Sequence, residues 1–290
     1  MKQDRLSLTA GFMPAVIMAL LLLLEGLLQA EVLPQNIWVV AGAEVAAYLL
    51  PMIILRFLPD QEGKRARFRF KGYRRQSIIL VLWMSLMTAM LAAFANGGVA
   101  LLLGGQGETI GIVLEQYGIE GFWQTILIIV VLPAVVEELF FRGVMFSALE
   151  RGGTWPALLL TSISFAMIHG DIYNFAGPLL AGLIYGYLVY TLDSVWPALF
   201  AHLVNNGLML LLYHMSHTFT SLDIWDYVML FAVFVFCLFL ALAMRALEGQ
   251  MEKGRIKRLQ YRSSGETLTG IFVSPGMWLL LLLFAVRVLY

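Results

Sequence analysis

The sequence predicts an all-α protein, a polytopic transmembrane helical bundle of about nine spans. Three observations predict it. Of the 290 residues, 60% are hydrophobic and only 13% charged; the mean hydropathy is +0.82; and the apolar residues fall in runs long enough to cross a bilayer. Soluble domains sit near roughly 45–50% apolar and about 25% charged, which excludes that class. An open sheet is excluded as well, because an unpaired backbone edge in lipid meets no water. The single cysteine, Cys237, excludes a disulfide scaffold.

A helix needs roughly 20 mostly apolar residues to cross a hydrocarbon core about 30 Å thick. The runs that qualify are 13–29, 36–58, 77–96, 122–147, 155–168, 174–192, 195–214, 224–246 and 272–290. The first ends near Glu25 and is followed by no small-residue cleavage pattern, so it reads as an anchor. The second carries Glu44. After the third, the glycine-rich stretch 97–120 reads as a loop with one interfacial turn. The fourth contains Pro133 and the charged cluster discussed below, and the fifth is short for a span. Trp155, Trp196 and Trp225 fit interfacial anchoring near helix ends, as do His214 and His217 at the outer end of the seventh run. Glu25 and Glu44 have no Lys, Arg or His close in sequence, which suits protonated, hydrogen-bonded acids better than a proton path.

Nineteen basic residues balance nineteen acidic ones, yet thirteen of the basic residues lie in two stretches, 64–75 and 245–262. Apolar segments flank both, which argues against nucleic acid as a partner. The Lys/Arg bias keeps Lys64, Arg65, Arg67, Arg69, Lys71, Arg74 and Arg75 cytoplasmic, together with Lys253, Arg255, Lys257, Arg258 and Arg262. Six spans separate the two stretches, an even number, as one-sidedness requires. The amino terminus with Lys2 and Arg5 is then cytoplasmic and the carboxyl terminus outside. The simplest role of both stretches is topological; holding anionic lipid is the other. The expected location is an integral membrane protein of the cell membrane, with the lipid bilayer as a partner.

Ionisable residues inside spans are functional candidates by default. Between Arg75 and Arg245 the only basic residues are Arg142 and Arg151. Arg142 sits in Leu132-Pro133-Ala134-Val135-Val136-Glu137-Glu138-Leu139-Phe140-Phe141-Arg142-Gly143. Glu138 and Arg142 are i,i+4 on a helix and can pair. Glu137 is turned about 100° away, which leaves one carboxylate free of the cation, the kind of group a general base requires. Pro133 has no N–H for the carbonyl of Ile129. A purely structural ion network is the plainer reading of a buried Glu–Arg pair, but two adjacent acids against one base weaken it.

His169 ends Ser164-Phe165-Ala166-Met167-Ile168-His169. His202 precedes Leu203-Val204-Asn205-Asn206, with Asn206 on its own helical face and Asn205 close to it. Alone, each histidine reads as an interhelical hydrogen-bond partner. Together, one Glu, two His and an Asn on three spans are an inventory for hydrolysing a carbonyl. Depth counting at 1.5 Å per residue sets Glu137 about 8 Å and His202 about 10 Å from the inner edge, but His169 about 20 Å deep.

These residues resemble the motifs of the CPBP intramembrane proteases, the group of the type II CAAX prenyl proteases and the bacteriocin-processing or self-immunity (Abi) proteins. Glu137-Glu138-Leu139-Phe140-Phe141-Arg142 is similar to EExxxR, Phe165 to His169 to FxxxH, and His202 to Asn206 to HxxxN/D, in the same order. The resemblance implies a helical membrane core with its cavity open to the cytosol. It implies that Glu137 with His169 activates water, that His202 with Asn206 stabilises the oxyanion, and that Glu138 and Arg142 orient Glu137. Asn205 could take the place of Asn206. A divalent metal such as zinc on Glu137, His169 and His202 is the competing version, a His₂Glu set with an open position for water. The absence of a His-Glu-x-x-His run argues only against an ordinary zincin.

The chain divides into amino-terminal spans with a basic loop over 1–120, a CPBP-like protease core over 121–214, and carboxyl-terminal spans with the second basic loop over 215–290. The function read from it is an integral membrane endopeptidase acting on a membrane-associated protein or peptide. The readings from other classes are a non-catalytic self-immunity or assembly protein that keeps the motif for packing, and a proton-coupled transporter.

Overall fold

Nine apolar runs become nine helical segments among the described residues. The computed structural model describes residues 5–60, 62–105, 114, 119, 121–218, 222–258 and 274–289. Lys2, Arg262, Gly107 and most of the 106–118 stretch lie outside the described residues, as do the side chains of His217 and Trp225. We number the helices α1 (Arg5–Gln29), α2 (Ile37–Phe57), α3 (Ile78–Leu103), α4 (Phe122–Leu149), α5 (Thr154–Ile168), α6 (Ala176–Leu192), α7 (Trp196–Thr218), α8 (Leu222–Glu252) and α9 (Pro275–Leu289). No strand occurs among the described residues; the loop after α2 makes one isolated bridge, Pro59 to Arg65.

Among the described residues six helices are long and apolar enough to cross a membrane, those of α1 to α4, α7 and α8. The other three have 15, 17 and 15 residues, or roughly 22–26 Å of rise, less than the hydrocarbon thickness. The expected polytopic bundle of about nine spans thus appears as six helices of full spanning length plus three shorter apolar ones among the described residues. The reading of 97–120 as a loop is corrected: Gly97 and Gly98 lie within α3, which runs to Leu103 and closes at Gly104 with φ +67°. Glycine is common in membrane helices.

Two groups of helices share the interior. α1, α2 and α9 pack on α4 and α5, around Tyr48, Phe140, Phe141 and Phe165. α3 packs on α6, α7 and α8, around Tyr185, Leu188 and Ala201. The seam between them is α5 against α6, and it is narrow because Gly182 faces it: a Cβ there would lie 3.0 Å from Arg142 Nη2 and 3.0 Å from Ser162 Cβ. α9 seats on α1 in the same way, since a Cβ at Gly276 would meet the Gly11 carbonyl oxygen at 2.6 Å. Three buried hydroxyls are satisfied within their own helices, Ser85 to Val81 O, Thr88 to Met84 O and Ser162 to Leu158 O. Leu230, Phe231 and Phe234 of α8 and Trp278 of α9 stay outward-facing, as lipid-exposed faces do.

The basic stretch after α2 is part of the bundle. Arg69, buried and at φ +56°, pairs with Glu150 at the end of α4 and lies 3.9 Å from Asp193 after α6. The Val195 N–H donates to Arg69 O at 3.0 Å, and Trp196 Nε1 to Phe70 O at 3.1 Å. One end of the bundle is thereby fixed as the end carrying the 58–77 loop, the 150–153 turn and the α6–α7 turn.

Candidate active site

The site begins where α4 departs from regular helix. Pro133 cannot donate to Ile129, and the Ile126–Val131 segment widens to π-helical turns; a second π-helical segment, Leu139–Met145, follows the acid pair directly. Such segments re-aim side chains and recur at functional sites. The carbonyl left open at Ile129 accepts from Asn206 Nδ2 of α7 at 3.4 Å. α7 is thus held against α4 beside the acids.

Glu138 is fully buried and doubly engaged. Its Oε1 accepts from Arg142 Nη1 at 2.8 Å and lies 3.0 Å from His202 Nδ1. Arg142, also fully buried, lies over the Phe165 ring at 4.2 Å and near the Tyr185 ring at 5.4 Å, a setting that a delocalised cation tolerates. Glu137 is arranged differently. Its Oε1 accepts from the Tyr48 hydroxyl at 3.5 Å. Its Oε2 faces His202 Nε2 at 3.8 Å and has no hydrogen-bond partner among the described residues.

Both imidazoles have their tautomers fixed by their neighbours. His169 Nδ1 lies 2.8 Å from the Phe165 carbonyl oxygen, which can only accept, so Nδ1 carries the hydrogen and Nε2 the lone pair. His202 Nδ1 likewise faces a carboxylate. With the hydrogen on Nδ1, Nε2 of His202 can donate toward an oxyanion only when the ring carries a second proton. The Phe165 ring touches both histidines edge-on, at 5.0 and 5.6 Å between centroids, and Tyr185 stacks on His202 at 5.6 Å.

His169, His202, Asn205 and Asn206 line one cavity of about 210 Å³. Asn205 Nδ2 donates to Asn206 Oδ1 at 3.2 Å, while Asn205 Oδ1 is unpartnered among the described residues. The apparent depth mismatch of His169 disappears because α4 runs on to Leu149 and α5 starts at the adjoining turn. His169 stands 15 residues above one side of that turn and Glu137 12 residues above the other, a difference of about 4–5 Å.

The cavity lies toward the end of the bundle opposite the basic loops. Asn96 stands far along α3 from those loops, Asn174 and Pro178 begin α6, and Met209 lies beyond His202 on α7. Phe68 and Phe141 belong to the packed core and do not line the cavity. The resemblance implies a cavity open to the cytosol; the lining residues lie nearer the end away from the basic loops. A second cavity of about 230 Å³ borders His169 from the α1, α2 and α9 side, with Glu25, Gln29, Gln35 and Arg287 in its wall. Glu25 and Arg287 form an ion pair there, which corrects the reading of Glu25 as an acid without a cation.

Glu137, Glu138, Arg142 and His202 are joined by direct contacts; Asn206 and His169 join them through the cavity that both share with His202, and His169 also through Phe165. The sequence does not single out Tyr48 or Tyr185, since each lies in an apolar run with no spacing relation to its partner. Among the described residues no three His, Cys, Asp or Glu side chains are gathered to hold a metal ion.

Comparison with known proteins agrees with the motifs. Residues 119–208 match the family described as type II CAAX prenyl endopeptidase Rce1-like, and that segment contains every motif residue. A Bacillus subtilis (strain 168) protein whose name reads "Putative membrane peptidase YdiL" is 22% identical over 185 residues, 61% of this chain and 72% of that protein. No solved structure matches. These similarities support the CPBP family and, in general terms, a membrane peptidase.

Proposed function

We propose that this chain is an integral membrane endopeptidase of the CPBP type that hydrolyses a peptide bond of a membrane-associated protein or peptide. The observation that carries this reading is the unequal use of the acid pair. Glu138 Oε1 is held by Arg142 and His202, while Glu137 pairs with no arginine among the described residues and its Oε2 faces His202 Nε2 at 3.8 Å; neither carboxylate's Oε2 has a hydrogen-bond partner among the described residues. The four side chains sum to zero charge when Glu137 and His202 hold one proton between them, the neutral total that a low-dielectric interior favours.

In the reactive form that proton is on His202. Glu137 takes a proton from a water molecule as its oxygen bonds to the substrate carbonyl carbon and the carbonyl electron pair moves to oxygen. His169 Nε2 accepts the other water hydrogen and orients the attack. His202 Nε2–H and the Asn205–Asn206 amide pair donate to the oxyanion, each such donor being worth roughly 3 kcal/mol in a dry site. Glu137 then passes its proton to the leaving nitrogen as the C–N bond breaks. Tyr48 and the Glu138–Arg142 pair hold Glu137 and His202 in place.

Mass spectrometry of membrane peptides from cells with and without the protein tests the activity, followed by cleavage of the accumulating peptide by purified protein. Cleavage should survive a chelator; loss on chelation, restored by zinc, would replace this mechanism with the metal version. No difference between the two cell populations would favour the non-catalytic reading.

We assign the basic-loop end to the cytoplasm of the cell membrane on the Lys/Arg bias, so the cavity faces the outer leaflet. In a Cys237→Ser background, Met209→Cys should react with an impermeant maleimide applied to intact cells, and Lys71→Cys only after permeabilisation. The reverse pattern would turn the site inward.

A further inference from the structure

The two basic stretches are far apart in sequence but share one cavity of about 340 Å³, where the loop before α3, the α6–α7 turn and the segment after α8 meet. That volume lies within the range of small-ligand sites, about 300–1,000 Å³. Lys71 and Arg74 enter from one side and Arg255 and Lys257 from the other. The three segments are fastened together: Gln250 Nε2 donates to Gln76 O at 2.8 Å, Ser194 Oγ to Lys71 O at 2.6 Å, and the Lys257 N–H to Thr191 O at 3.2 Å.

Four cations therefore face one carboxylate. Asp193 lies 3.7 Å from Lys257 and is shared with Arg69. Lys71, Arg74 and Arg255 have no side-chain partner among the described residues. Membrane topology asks only that Lys and Arg stay on one side; it does not ask that two distant stretches line a common cavity. Immediately beside it, Ile78 and Ile79 at the start of α3 are 51% and 62% exposed, an apolar surface suited to an acyl chain.

We infer that this cavity is a binding site for a phosphate group, supplied by the headgroup of an anionic phospholipid. Guanidinium and ammonium groups recognise phosphate through charge-assisted hydrogen bonds, and each basic side chain near an anionic surface is worth on the order of fivefold in binding. The site is separate from the cavity lined by His169 and His202 and does not depend on the proposed peptidase activity.

Native mass spectrometry of the full chain in neutral detergent tests it, with phosphatidylglycerol, phosphatidylcholine and inorganic phosphate as probes. Phosphatidylglycerol should bind about tenfold or more tightly than phosphatidylcholine and be displaced by phosphate. The variant K71Q/R74Q/R255Q/K257Q should lose about tenfold or more affinity beyond K64Q/R65Q/K253Q/R258Q, which removes the same charge outside the cavity. Should the fourfold variant not fold, Lys71→Gln and Arg255→Gln singly carry the same comparison, each with roughly a fivefold loss. Equal losses in both sets would reduce the site to a diffuse basic surface and overturn the inference. Phosphate binding without lipid preference would keep the phosphate site and overturn its lipid source.

Discussion

Glu137→Gln is expected to lower peptide cleavage by about 10²- to 10⁴-fold, the range of a general base, with the protein still folded in the membrane. Glutamine keeps the shape and can still accept from the Tyr48 hydroxyl, but it cannot take a proton from water. It also removes the partner with which His202 shares its proton. The measurement is turnover of a cleaved peptide by purified protein, set against thermal unfolding in the same detergent. A lowered rate with unchanged unfolding is the expected pair of results. Undiminished turnover by Glu137→Gln would remove Glu137 from the reaction and, with it, the mechanism built on the acid pair.

Arg142→Met should act on the fold first. Arg142 and Glu138 are both fully buried and 2.8 Å apart, and deleting one member of such a pair leaves an uncompensated charge at about 3–5 kcal/mol. The expected result is a large fall in unfolding temperature together with loss of cleavage. The double variant Glu138→Gln/Arg142→Met should recover much of the stability, because no bare charge remains, but none of the activity, because His202 then lacks its carboxylate. Full stability in Arg142→Met alone would mean that Glu138 is neutral in the folded protein, and the charge balance assigned to the site would be wrong.

Local relations in the chain are legible in the sequence. The i,i+4 spacing of Glu138 and Arg142 announces their pairing, and Pro133 announces an open carbonyl at Ile129, though not that Asn206 fills it. The apolar runs locate all nine helices because burial in lipid overrides weaker propensities such as that of glycine in α3. Long-range relations are not legible. Tyr48 reaches Glu137 across 89 positions, and Arg287 reaches Glu25 across 262; no periodicity links residues on separate helices. The side on which the cavity lies is equally hidden, since it depends on which helices diverge and not on where each one begins.

The wall of the second cavity also has an order of manufacture. Glu25 emerges from the ribosome with the first helix, whereas Arg287 arrives with α9, after every other helix of the bundle. Until that moment the chamber beside His169 stands open on one flank, and α1 has no neighbour in the groove at Gly11. Enclosure of the histidine therefore waits on α9: a chain made only as far as α8 already carries all its motif residues, but not yet the room in which they sit.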